Sequence, residues 1–238
     1  MPVKRLLLLL ATLLAALQAS ATLPTPFTAW YTVHAKGFTL GTMERRLEHR
    51  GKGRYRFRSE SQSTGLVALI RSDQVLEKSI WILENNQIRP VKYVYRHTGS
   101  KDRTIKIRFD WIQGRIIEQK GENTRSMAIV PGVLDKLVYQ LGIMWDLRRG
   151  ERRFEYRIAD DGKIKTYHFV NLGEEAVTTP LGQFQAIKLE YQKADSPRKT
   201  TLWCAPTLGY LPVRMDYTEK DGTVFSALLK KTDMMPAR

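Results

Sequence analysis

The sequence predicts an all-β protein: a large, mostly antiparallel curved sheet or open β-barrel with one helix packed near residues 133–149. Three observations predict it. Apolar and polar residues alternate with period two through most of the chain after residue 21. Turn dipeptides rich in Asn, Asp and Gly recur between the alternating runs. One segment alone changes to spacings of three and four, the period of a helix.

In chain order, the first element is an export signal. Lys4 and Arg5 precede the apolar run Leu6–Leu17, and Gln18-Ala19-Ser20-Ala21 ends as an Ala-x-Ala cleavage site. The run is too short to span a bilayer comfortably, so residues 1–21 read as a signal peptide cut after Ala21. No later stretch is long and apolar enough for a transmembrane helix. The expected location is therefore the periplasm. Residues 22–238 contain no Pro/Gly/Ser-rich linker and no repeat, and read as one β-rich domain.

Gly53–Arg58 alternates as Gly-Arg-Tyr-Arg-Phe-Arg, and Ile105–Phe109 as Ile-Lys-Ile-Arg-Phe. Val91–Arg96 and Leu211–Tyr217 alternate less strictly. Asn85-Asn86, Gln113-Gly114, Asp161-Gly162 and Asp221-Gly222 mark turns, with Asp161-Gly162 the clearest hairpin, between Phe154–Ile158 and Ile164–Phe169. Pro90 and Pro212 lie inside apparent strands, where the missing N–H demands a sheet edge or a bulge. Leu66–Ile70 fits a helical turn or a buried strand equally well. From Val133 to Arg149, Leu134, Leu137, Val138, Leu141, Met144 and Trp145 recur at helical spacing, and Gly150 ends the pattern.

Composition places the chain among globular proteins, with 42% hydrophobic and 10% aromatic residues. The single cysteine excludes an internal disulfide framework and a cysteine-built zinc site. Catalytic templates fail: there is no nucleophile elbow, no His-Glu-x-x-His and no phosphate-binding loop. Ser196-Pro197-Arg198-Lys199 spells Ser-x-x-Lys, but it reads as a loop entering a strand and its partner motifs are missing. His34, His49, His97 and His168 are scattered singly, without the His-x-His pair that a strand face would use for metal. Cys204, between Trp203 and Ala205-Pro206, reads as a buried inert thiol. No cofactor is expected.

Several phrases resemble those of a family of bacterial exported proteins, domain of unknown function 3108. They are Gly173 to Lys188, with Thr179-Pro180-Leu181-Gly182 at its centre, and Trp203-Cys204-Ala205-Pro206 continuing through Gly209 to Arg214. Weaker matches are Tyr31-Thr32-Val33 with Gly37 and Gly41, Gly53-Arg54-Tyr55, and Val133-Leu134-Asp135. The resemblance implies an exported, mostly β protein and supplies no reaction or catalytic residue. Asp135, the charged member of these phrases that invites a role, reads as a first-turn acid placed for the helix dipole.

Charge is the unusual feature. Lys+Arg number 39 against 24 Asp+Glu, a net +15, and removing the leader leaves +13. Residues 22–130 hold 20 cations and 10 anions, whereas residues 131–238 hold 17 and 14. In the early strands the polar phase carries Arg54, Arg56 and Arg58, then Lys92 and Arg96, then Lys106 and Arg108. If these strands are neighbours they form a basic sheet face, suited to an anionic envelope lipid, lipopolysaccharide or an acidic glycan. A solvated, edge-protecting face explains the same charges. Export makes nucleic acid an unexpected partner.

The reading is a periplasmic, non-catalytic binding protein of the cell envelope. It would hold a lipid or other apolar ligand in a curved sheet whose inner phase carries Tyr55, Phe57, Tyr93, Tyr95 and Phe109. One alternative is a structural or assembly protein that meets an acidic partner. Another is an unrecognised hydrolase using Cys204 or a carboxylate pair assembled only in space.

Overall fold

The computed structural model describes residues 25–65, 68, 72–100, 102–193 and 196–235. The expected leader at 1–21 and the ambiguous stretch Leu66–Ile70, apart from Ala68, lie outside the described residues. The chain begins with β1 (Phe27–Ala35), β2 (Phe38–His49), β3 (Arg54–Ser63), β4 (Gln74–Glu84) and β5 (Gln87–Thr98). It continues with β6 (Arg103–Asp110), β7 (Arg115–Lys120), β8 (Asn123–Ala128) and the two-residue β9 (Val133–Leu134). After the helix α1 (Tyr139–Arg148) come β10 (Phe154–Asp160), β11 (Lys163–Thr179), β12 (Gly182–Gln192), β13 (Lys199–Ala205), β14 (Leu211–Thr218) and β15 (Val224–Thr232).

Among the described residues fifteen strands share one sheet, in the order β8-β7-β6-β5-β4-β3-β2-β1-β15-β14-β13-β12-β11-β10-β9. Sequence neighbours pair as antiparallel hairpins, and β1 joins β15, so the first and last strands meet in the middle of the sheet. β9 pairs with β10 in parallel. The sheet is strongly curved but not closed, because its end strands β8 and β9 do not hydrogen-bond to each other. Side chains bridge the two ends instead. Arg125 donates to the Asp161 carbonyl at 3.1 Å, and Lys120 lies 3.4 Å from the Asp161 carboxylate.

The turn chemistry matches its conformations. Asn85-Asn86 and Asp161-Gly162 both place two successive residues at positive φ, as two-residue type I′ hairpins require. Both strand prolines sit beside bulges in the sheet interior. The register of β4 on β5 shifts between Ile80 and Trp81, opposite Pro90, and that of β13 on β14 shifts between Trp203 and Cys204, opposite Pro212. Each bulge is tied down by an aromatic donor: Trp111 Nε1 to the Pro90 carbonyl at 2.7 Å, and Tyr31 Oη to the Pro212 carbonyl at 2.9 Å.

The helix is shorter than its sequence pattern. Val133 and Leu134 are strand, held by β10, and the helix proper starts at Tyr139. Asp135 ends the strand and caps the intervening turn, accepting from the backbone N–H of Leu137 at 2.9 Å and of Val138 at 2.8 Å. Extended β9 residues and a tight apolar turn mimic helical spacing, so the periodicity runs straight through them. Residues Tyr139 to Trp145 and Leu147 of the helix are all buried by the curved sheet around them. Gly142 lets the helix approach β10, since a Cβ there would lie 3.2 Å from the Tyr156 ring. One end of the concave face is thereby filled with core, including Leu141, Ile143, Met144, Phe57, Trp81 and Ile107.

Candidate functional site

The other end of the concave face is open. A cleft of 620 Å³ lies between the first turn of α1 and the inner faces of β1–β5 and β10–β15. Strand register arranges its lining in levels. Arg45, Glu77 and Tyr95 share one register level on β2, β4 and β5, linked through the buried Ser59 of β3, and form a polar floor beside α1. A second level, Val33, Ala227, Met215 and Leu202, crosses β1, β15, β14 and β13 and is apolar. Phe225, Tyr217 and Thr200 form the level beyond it. Tyr167 and Tyr191 stack on one wall, with centroids 4.3 Å apart and planes 17° from parallel.

The electrostatics of the floor are specific. Asp160 takes both Lys136 at 3.2 Å and Lys165 at 2.5 Å. Burial opposes its ionisation, but the two lysines outweigh burial and hold the carboxyl below its ordinary value. Tyr93 Oη donates to Glu77 Oε1 at 2.5 Å. Asp135, fully buried behind this floor, accepts from the Ser79 hydroxyl at 2.5 Å. Burial raises its carboxyl to about 6, against the lowering effect of the Ser79, Val138 and Leu137 donors. Arg45, only 8% exposed, donates to Gln140 Oε1 of α1 and leans over the Tyr31 ring at 6.0 Å.

The basic residues singled out in the sequence lie on the opposite, convex face. Arg54, Arg56, Arg58, Lys92, Arg96, Lys106 and Arg108 share that face on β3, β5 and β6, with β4 between the first and second groups. Lys92 faces Arg108 directly across the strand pair, and Arg58 faces both Arg46 and Lys78. The face is not purely cationic. Arg56 pairs with Glu48 at 2.5 Å, Arg58 with Glu60, and Arg108 with Asp110 at 3.4 Å. Glu48 comes from β2, and Glu60 and Asp110 lie beyond the short alternating stretches, so the pattern within those stretches does not contain them. Among the described residues, Arg54, Lys92, Arg96 and Lys106 make no ion pair, and neither does Lys78, which the sequence reading does not include.

The inner aromatics divide. Tyr95 lines the cleft, whereas Phe57, Tyr93 and Phe109 are core and Tyr55 stacks on Trp81 at 4.2 Å. Arg45 and Glu77 are not among the residues singled out in the sequence, although Met43-x-Arg45-x-Leu47 and Val75-x-Glu77-x-Ser79 carry a readable signal: a charge in the inward phase of a strand.

The residues weighed for catalysis fall elsewhere. Cys204 is wholly buried, and burial pushes its thiol up to about 12, which disfavours the nucleophilic thiolate. Ser196 accepts from the Arg198 backbone N–H in a local turn, and Lys199 is in β13, paired with Glu190. Among the described residues, no group of three His, Cys, Asp or Glu side chains is placed to hold a metal.

With this geometry in view, a family profile described as protein of unknown function (DUF3108) matches residues 30–230. The chain belongs to the DUF3108 family. Among curated proteins none matches it. Among solved structures, a beta-barrel-like protein of domain of unknown function DUF1849 from Brucella abortus superposes with a TM-score of 0.56 at 11% identity, covering 89% of this chain and 98% of that one. It shares the fold of this DUF3108 protein. A protein with a YmcC-like fold from Bacteroides fragilis has a TM-score of 0.29 at 12% identity, covering 87% and 94%. The Pseudomonas aeruginosa MucA/MucB complex has a TM-score of 0.19 at 9% identity, covering 92% and 96%. At those TM-scores the likeness bears on neither fold detail nor function.

Proposed function

We propose that this DUF3108 protein is an exported, non-catalytic binding protein of the cell envelope, which carries an apolar ligand in its concave cleft. The observation that carries the reading is the cleft itself. A 620 Å³ space opens between the plugging helix and a level of apolar side chains, where a barrel used only as scaffold would be filled. The leader-like residues 1–21 support a periplasmic location. The convex face supports docking on an anionic surface, each cation near such a surface contributing roughly 1 kcal/mol. Native mass spectrometry of protein purified from the periplasm tests the reading. A co-purifying lipid-sized mass is expected; the absence of any such mass, together with no binding to anionic vesicles at low salt, overturns it.

A second reading, an envelope assembly protein, is favoured by one observation. β8 ends the sheet with exposed side chains, an edge onto which a partner strand can add. Crosslinking in cells that yields one dominant protein adduct through β8 favours this reading over ligand carriage.

A further inference from the structure

Arg45 is the least satisfied charge in the cleft. It is 8% exposed, its Nε has no hydrogen-bond partner, and among the described residues it makes no ion pair. The other charged side chains around it are answered by a partner or by water. Lys136 and Lys165 share Asp160, Arg198 meets Glu219 at 3.1 Å, and Lys199 meets Glu190 at 3.1 Å. Asp216 is held by Arg214 at 2.7 Å, Glu77 accepts from Tyr93, and Lys193 is exposed to solvent. Gln140, a neutral amide, is what the protein itself offers the Arg45 guanidinium, besides the face of Tyr31. A buried cation left without an anion is costly, and such a cation at the floor of an open cleft is a recognition group for an anion that arrives with the ligand.

The levels of the cleft give that anion an orientation. Met43 stands one inward position along β2 from Arg45; beyond it lies the apolar level of Val33, Ala227, Met215 and Leu202, and then Phe225 and Tyr217. We infer that the cleft binds an amphiphile with a single anionic head, carboxylate or phosphate. The head enters first and pairs with Arg45 beside Gln140, and the chain runs outward along the apolar level. This rests on the reading of the cleft as a ligand site and adds the chemistry of the ligand. A guanidinium offers two parallel donors to either head, a bidentate ion pair that a neutral alcohol or ester cannot form.

The test uses the full mature chain and displacement of a fluorescent fatty-acid probe. Oleate, 1-oleoyl-lysophosphatidate, oleyl alcohol, acetate and inorganic phosphate serve as competitors. One or both anionic amphiphiles are expected to bind at least about tenfold tighter than oleyl alcohol, the ratio a charge-assisted hydrogen bond supplies; which of them does so identifies the head. Arg45→Gln is expected to erase that preference while leaving oleyl alcohol binding in place. Equal affinity for anionic and neutral amphiphiles in the wild type overturns the inference and leaves the cleft reading standing. Displacement by acetate or phosphate alone at the affinity of the amphiphiles also overturns it, because the chain would then add nothing. Failure of every amphiphile to displace the probe, or of the probe to bind, removes the cleft reading as well. If Arg45→Gln does not fold, the wild-type comparison of heads decides alone.

Discussion

The Ser79 hydroxyl donates to Asp135 across 2.5 Å, joining the middle of β4 to the turn that leads into the plugging helix. The same carboxylate holds the N–H groups of Leu137 and Val138, so one buried acid fixes the helix on the sheet. Its role is architectural, and the acid is not presented to the cleft.

The pH dependence follows from its burial. The Asp135 carboxyl is raised from 3.8 to about 6 in the fold, so the folded state binds the proton more tightly than the unfolded chain. Its contribution is fully present below about pH 4 and is lost as pH rises through about 6, by roughly 3 kcal/mol. Asp135→Asn keeps an acceptor for the capped N–H groups and cannot ionise. Its stability relative to wild type should therefore rise between pH 4 and pH 7. Urea denaturation of both proteins at pH 4.5, 5.5 and 7 measures this, and a pH-independent difference contradicts it. Asp135→Ala should lose about 1–3 kcal/mol at pH 4.5, because buried donors are left unpaired, and that deficit should shrink toward pH 7, since alanine does not ionise either.

Gly41 should tolerate no side chain. A Cβ at this position would run into the Gln62 carbonyl oxygen, a backbone atom that cannot swing aside. Gly41→Ala should destabilise by at least the roughly 1–3 kcal/mol typical of overpacking. A melting temperature within a degree of wild type would show that β2 and β3 separate more easily than their register suggests.

The convex face predicts salt-sensitive vesicle binding. Lys92 and Lys106 are exposed and, among the described residues, unpaired, and Lys92 faces Arg108. Replacing both by Gln should weaken binding to phosphatidylglycerol vesicles about 30-fold at low salt, from roughly 1 kcal/mol per cation. Stability should hold or rise slightly, since a like-charge neighbour is removed. Vesicle flotation with a parallel melt separates the two effects; unchanged flotation would assign these lysines to solubility alone.

Cys204 should be chemically silent in the folded protein. With the thiol pushed up to about 12 and no exposure, a thiol-specific reagent at pH 8 should label it only after denaturation. Cys204→Ala should retain vesicle and ligand binding. Rapid labelling of the native chain would point to opening of β13.

Much of the architecture is legible in the sequence because it rests on local rules. Alternation places Phe57 and Ile107 inward and Arg54 and Lys106 outward, and Pro90 and Pro212 announce bulges through a missing N–H. What escapes depends on distant strands. That Glu48 of β2 neutralises Arg56 is a matter of pairing, which no single strand reports. The site escapes for a related reason: Arg45 stands among Glu44, Arg46 and Glu48 and blends into a charged run, and only the inward phase set by Met43 and Leu47 distinguishes it.

The pairing of β1 with β15 has a consequence for how the chain comes to be folded. Thr28 and Asp233 are hydrogen-bonded across 205 residues, while almost every other strand pairs with its sequence neighbour. When the chain folds from its N-terminal side, β1–β8 can zip into successive hairpins, but the middle of the sheet stays split until β15 arrives. Assembly is thus gated by its last strand, and loss of that strand leaves β1 and β14 as two further unpaired edges in the middle of the sheet. Joining residues 25 and 235 through a short linker and opening the chain at residues 129–132 would make every strand pair of the same sheet a pair of sequence neighbours. Such a permutant should refold faster than the natural order, because its longest loop closure has been made covalent in advance.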